Sequence, residues 1–280
     1  ATAFSGNAEL TSIVLPASLS DGQDFIHWLT SAGDIINGNE AVSDYEISYT
    51  AVFADKPNCP ECYTLSAADV TIVDGIIIAC SYDFETGKTD IIIPVNIGEE
   101  TIIGIAEGVF KEKGLTSVAL PATLQFIGKE VFRKCPLTSI DFSHITGGLE
   151  IGEAAFRQCG LTSLTLGANI KSVALNAFRD NSDLTTVTFA DVNANLKVIG
   201  SGAFRGTSSL TSIVIPSYIE TVESNAFYLG ALTTLTFEEE SSLVTIESGA
   251  FDGYDGAGAI TTVVIPASVE SIGSKAFRDN

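Results

Sequence analysis

LTSIVIPSYIETVESNAFYLGALTTLTF, residues 210–237, decides how the chain folds, because the apolar pattern of its first six residues returns at its end. In Leu210–Ile215 the first, fourth and sixth positions are apolar and the others are small or polar apart from Val214, whose place is taken by Thr236 in the second copy. The last three alternate with period two, as a strand with one buried face must. The same block occurs as LTSVAL (115–120), LTSIDF (137–142), LTSLTL (161–166), LTTVTF (184–189), LTTLTF (232–237) and ITTVVI (260–265). A second column keeps step with it. Phe, usually after Ala, stands at Phe110, Phe132, Phe156, Phe178, Phe204, Phe227, Phe251 and Phe277, at intervals of 22 to 26.

One such strand cannot bury its face alone, but stacked copies share a core. A period near 24 with L-x-x-L-x-L in each unit predicts a leucine-rich repeat solenoid of parallel strands, joined by short helical turns that carry the inward Phe. The expected continuous sheet is made by the LTS strands, about 4.8 Å apart. Three residues after Phe come Asn7, Cys135, Cys159, Asn181, Thr207 and Asn280. Small polar side chains there can bond backbone groups left open by the turn, so Cys135 and Cys159 are expected buried and reduced.

The combination [IV]-G-x-x-A-F-x-x-[CN] followed by L-T-S-[IV]-x-[LI]-P-x-[ST]-[VIL] resembles the BspA-like class of leucine-rich repeats over about residues 100–280. Val73–Ile76 with Thr89–Pro94 resembles an opening repeat. The resemblance implies a right-handed solenoid and a microbial surface or secreted protein that adheres to host or neighbouring-cell molecules. It carries across no catalytic residues and no cofactor.

Outside the array, residues 1–16 are half a repeat, with Phe4 and Asn7 in register. Residues 17–69 form an inserted or capping segment of α+β character, and 70–280 the solenoid proper. Phe25, Trp28, Leu29 and Ala32, between Ser20-Asp21 and Gly33, predict an amphipathic helix. Tyr45–Phe53 alternates as a strand, Lys56–Cys62 is a turn, and Val70–Ser81 predicts a buried strand. The chain stops in mid-repeat at Asn280, so the natural protein is expected to continue.

With Lys+Arg 14 against Asp+Glu 35 the net charge is −21, which argues against nucleic acid. No apolar run reaches the ~18 residues of a membrane span. Residues 1–55 hold eight acids and no Lys or Arg, and Asp34–Glu40 lacks the EF-hand spacing for calcium. No metal site is expected. Cys59-Pro-Glu-Cys62 lacks the further ligands of structural zinc. A local disulfide is its first reading, with free thiols or redox chemistry as alternatives, and an oxidised pair would fit export. His27 and His144 stand in no catalytic arrangement, so no enzyme is expected.

Two columns are candidate ligand surfaces. One is the cation after Phe: Lys111, Arg133, Arg157, Arg179, Arg205 and Arg278, interrupted by Tyr228 and Asp252. It is either compensated by carbonyl ends and by carboxylates such as Asp180, Glu153 or Glu112, or an anion-binding ridge for an acidic glycan or protein patch. The other is the exposed threonine ladder, with Thr165, Thr186, Thr188, Thr234 and Thr236. Threonine stacks well on strands for structural reasons alone, and the same array offers a broad, nearly uncharged face to a protein. The expected role is a non-enzymatic adhesin, with a structural spacer as the alternative.

Overall fold

The computed structural model describes residues 61–190, 192, 195–253 and 260–280. Before them it describes the backbones of the strands Ile13–Val14, Asp24–Thr30, Ile35–Ile36, Ala41–Val42 and Tyr49–Ala54. Chain contacts divide it into two units, 1–59 and 60–280.

In the first unit Asp24–Thr30 lies antiparallel between Ile35–Ile36 and Tyr49–Ala54, and Ile13–Val14 pairs with Ala41–Val42. The helix expected around Phe25–Ala32 is therefore corrected to a strand. Spacing of three and four suits either form in so short a run, and the aromatic and β-branched content of DFIHWLT favours the strand. Phe4, Asn7, Asp34 and Cys59 lie outside the described residues.

The second unit is a β-solenoid of about eight turns, with no helix among the described residues. Its longest sheet has ten strands, and it is not the LTS sheet. It stacks the two- to four-residue segments that precede each Phe turn, among them Phe126–Ile127, Leu149–Ile151, Ile170–Val173, Val198–Ile199, Thr221–Val222 and Thr245–Ile246. All of its pairings are parallel except that of Val70–Val73 with Ile76–Cys80. The single buried strand expected over 70–81 is thus a half-buried hairpin. It turns at Asp74-Gly75, both with positive φ (51° and 73°), as a tight two-residue hairpin needs.

The LTS strands form shorter sheets instead of one continuous one. Ser163–Leu166 pairs with Thr186–Phe189, and Ser212–Ile215 with Thr234–Phe237. Ser117–Ala119, from the first block, pairs with Asp90–Ile92, while the blocks at 184 and 210, and at 232 and 260, do not pair.

Between the two strand layers the phenylalanines form one stack. From Phe110 to Phe277 successive ring centroids are 5.2–5.6 Å apart and their planes are within 22° of parallel. The seven rings from Phe110 to Phe251 are fully buried. Offset stacking adds to area burial here.

The turn around each Phe is a pair of β-turns rather than a helical turn. Residues two before and two after Phe have positive φ: Glu130 and Lys134, Ala154 and Gln158, Asn176 and Asp180. That geometry swings alternate N–H groups out of the turn and along the solenoid axis. Phe110 N donates to Val131 O, Phe132 N to Ala155 O, Phe156 N to Ala177 O, and so on to Phe251 N and Ala276 O, at 2.8–3.1 Å. Parallel chains run from Gly108 N to Ser274 O and from Glu112 N to Arg278 O. Three unbroken files of peptide hydrogen bonds thus follow the turn edge.

The column three residues after Phe closes these turns. Cys135 Sγ donates to Phe110 O (3.0 Å), Cys159 Sγ to Phe132 O (3.2 Å) and Thr207 Oγ1 to Phe204 O (2.9 Å). Asn181 Nδ2 donates to both Phe156 O and Phe178 O at 2.8 Å. Cys135 and Cys159 are free and buried, as expected, and burial pushes both thiols up. A native-state alkylating reagent should leave both unmodified and label them only in denaturant. Modification in the folded chain would contradict the packing.

Candidate functional site

The LTS strands turn Leu, Ile, Val or Phe inward at the first, fourth and sixth positions, so the second, third and fifth face outward. Thr165, Thr186, Thr188, Thr234 and Thr236 are all exposed. Register places Thr165 against Thr188, with their hydroxyls 3.0 Å apart, while Thr236 lies beside Val214 and Thr234 beside Ser212. Thr185 and Thr233 donate to the carbonyls of Thr162 and Thr211 on the preceding coil. Much of the hydroxyl ladder is therefore engaged within the solenoid.

Asp141 is the one charged residue at the outward positions of the seven LTS blocks, in a chain of net charge −21. Val214 (49% exposed) and Val264 (81%) add apolar surface. Two grooves open where strand pairing lapses. One, of about 390 Å³, lies between Thr186–Phe189 and Ser212–Val214 and also takes in Glu238; the other, of about 560 Å³, lies between Thr234–Phe237 and Thr262–Val264 and also takes in Glu238, Glu239 and Glu240.

The second candidate surface is the turn edge. The column cations meet carboxylates there: Arg133 Nη1 and Lys111 Nζ share Glu130 (2.6 and 2.7 Å), and Arg157 and Arg179 share Asp180 (3.2 and 3.3 Å). Arg278 reaches Asp252 at 2.9 Å and Asp279 at 3.2 Å. Of the carboxylates expected to compensate, Asp180 does so; Glu112 bonds Lys134 and Glu153 bonds Lys129 instead. Glu130 and Asp252 escaped the sequence reading, although Glu130 sits three residues before Arg133 and Asp252 interrupts the column itself. The Lys111 ammonium, with Arg133, holds the Glu130 carboxyl below the usual carboxylate range. Arg205 differs in that its guanidinium lies over the Tyr228 ring, 4.7 Å from the centroid; its Nε, like that of Arg133, is buried with no hydrogen-bond partner.

His144 Nε2 lies 2.7 Å from Leu120 O, a structural contact. Among the described residues no three His, Cys, Asp or Glu side chains could jointly hold a metal. Likewise no helix among them is long and apolar enough to cross a membrane. Cys62 is disulfide-bonded.

Stacked coils with a repeating inward Leu/Phe set and an outward polar ladder define a leucine-rich repeat protein. Residues 103–228 and 187–280 match the BspA type leucine rich repeat region, in six copies, and the chain belongs to that family. Solved structures similar to it include the T. pallidum leucine rich repeat protein TpLRR, with 21% identity and TM-score 0.55, over 68% of this chain and 89% of that one. The pneumococcal vaccine antigen PcpA is 18% identical with TM-score 0.52, over 77% and 67%. A leucine rich cell surface protein of Faecalibacterium prausnitzii A2-165 is 24% identical with TM-score 0.45, over 77% and 49%. No curated protein matches the chain. Proteins of this repeat family and fold are typically non-catalytic.

Proposed function

We propose that the chain is a non-enzymatic binding protein of a microbial cell exterior, an adhesin whose LTS face engages a protein on a host or neighbouring cell. The observation that carries this reading is the near-absence of charge from the outward positions of the LTS strands on so acidic a chain, together with exposed Val214 and Val264 beside two grooves whose only charged lining residues are Glu238, Glu239 and Glu240. Interfaces of standard size bury about 1,200–2,000 Å² in total, which a face several coils long can offer. The family and the oxidised Cys62 support an exported location.

The test is an array of extracellular matrix and cell-surface proteins probed with the native chain and with Thr188→Glu/Val214→Glu. Two desolvated carboxylates at the centre of an interface should weaken the positive partner about tenfold or more, with the melting profile unchanged. Equal binding by the variant would remove the face from the account. A structural spacer is the second reading, favoured by the threonine hydroxyls that bond the preceding coil. It requires that the native chain bind nothing on the array.

A further inference from the structure

The turn edge carries a second surface, independent of the LTS face. A shallow groove of about 490 Å³ crosses the coils of Phe204, Phe227, Phe251 and Phe277, and its walls include Arg205, Tyr228, Ser248, Asp252, Lys275 and Arg278. Three cations line it with one carboxylate, and since Arg278 is already paired with Asp252 and Asp279, the uncompensated positive charge is that of Arg205 and Lys275. Asp252 is almost fully buried and its Oδ2 is held by Arg278. Lys275 makes no ion pair among the described residues, and neither does Arg205, alone among the six cations of its column.

That exception has a local cause. On the coils of Phe132, Phe156 and Phe178 the column cation finds Glu130 or Asp180. At the next coils the column reads Tyr228 and then Asp252, and Asp252 is taken by Arg278 from the far side. Gly206 replaces the acid that Asp180 supplies one coil earlier. Arg205 is left resting on an aromatic ring, half-buried, with Nε withdrawn from any partner. A partly desolvated guanidinium on an aromatic face is held in place and has donors to spare for a planar oxyanion. Self-repulsion between Arg205 and Lys275, the two cations without a carboxylate, would fall on binding such a group.

We infer that this groove binds the carboxylate of an acidic sugar: Arg205 and Lys275 take the charge, and the Ser248 hydroxyl and Asn225 amide at the groove's side take ring hydroxyls. The volume suits a sugar unit or two. The shallow opening suits the terminal or side residue of a longer glycan, which can pass along the edge without entering the core.

The probes are methyl glucuronide, its neutral counterpart methyl glucoside, and inorganic sulfate, each titrated by ligand-observed NMR against the full chain. Methyl glucuronide should bind and methyl glucoside should not. Arg205→Gln should weaken glucuronide about tenfold, and Lys275→Gln, a change to an exposed side chain, should weaken it severalfold. Arg157→Gln, in the carboxylate-paired part of the column, should leave it unchanged, as should Thr188→Glu/Val214→Glu on the other face. Equal affinity for Arg205→Gln and Lys275→Gln would overturn the assignment. So would equal binding of the glucoside, or displacement of glucuronide by sulfate at equal concentration, which would mark a site that reads charge alone. Absence of glucuronide binding in the native chain would overturn it outright.

Discussion

Phe156→Ala should cost about 3–5 kcal/mol, the usual range for truncating a fully buried Phe in a rigid core. The site cannot collapse easily. Phe132 and Phe178 stack on its two faces at 5.2 and 5.4 Å, and Phe142 meets it edge-on at 5.8 Å. The backbone on both sides is pinned by axial hydrogen bonds to the neighbouring coils. A domain typically has only about 5–15 kcal/mol to lose. In a solenoid the damage is also positional, since each coil is stabilised chiefly by its neighbours. Denaturant unfolding should therefore split into two transitions on either side of the lesion. A single transition with an unchanged midpoint would show that the Phe stack is not what couples the coils.

Asn181→Leu should cost on the order of 3 kcal/mol, because two buried carbonyls lose their donor at once. Asn181 is fully buried, and one Nδ2 serves both Phe156 O and Phe178 O. A leucine of similar bulk fills the space and answers neither carbonyl. Asn181→Cys should be milder, since Cys135 and Cys159 occupy the same position on earlier coils and bond the preceding carbonyl through sulfur. The urea midpoints should rank native, Cys, Leu in falling order. Leu at or above Cys would mean that packing, not carbonyl satisfaction, sets the cost.

The parts of this fold legible in the sequence were those with a long, strict period. The inward residues of LTSIVI, the Phe column and the buried Cys135–Cys159–Asn181 ladder all follow from registers repeated along the chain. The ten-stranded sheet was not legible as a sheet, because a two-residue strand such as Val198–Ile199 is too short to show alternation. Its stability comes from stacking partners two dozen residues away. The β-turn pairs were half legible: Asn176, Gly202, Asn225 and Gly249 advertise positive φ, whereas Glu130, Ala154 and Lys134 adopt it under the constraint of neighbouring coils. Around Phe25–Ala32 a three-to-four spacing was indistinguishable from a strand, and only pairing with Tyr49–Ala54 decides it. At the turn edge the cation column and its partner Asp180 were readable, but Glu130 and Asp252 were not, since Lys111 meets Glu130 and Arg278 meets Asp252 only through coil-to-coil contact. The break at Arg205 and Tyr228 was visible as a change of letter, but its meaning waited on which carboxylates were already taken.

The three files of peptide hydrogen bonds have an electrical consequence. Every amide in them points its hydrogen toward the C-terminal coils and its oxygen back toward Gly108, so their moments add instead of cancelling as they nearly do across a sheet. The turn edge is thus a permanently poled rod whose field owes nothing to side chains, and each amide strengthens its neighbours by induction. Amide protons in mid-file, such as those of Phe156 and Phe178, sit where that mutual polarisation is greatest.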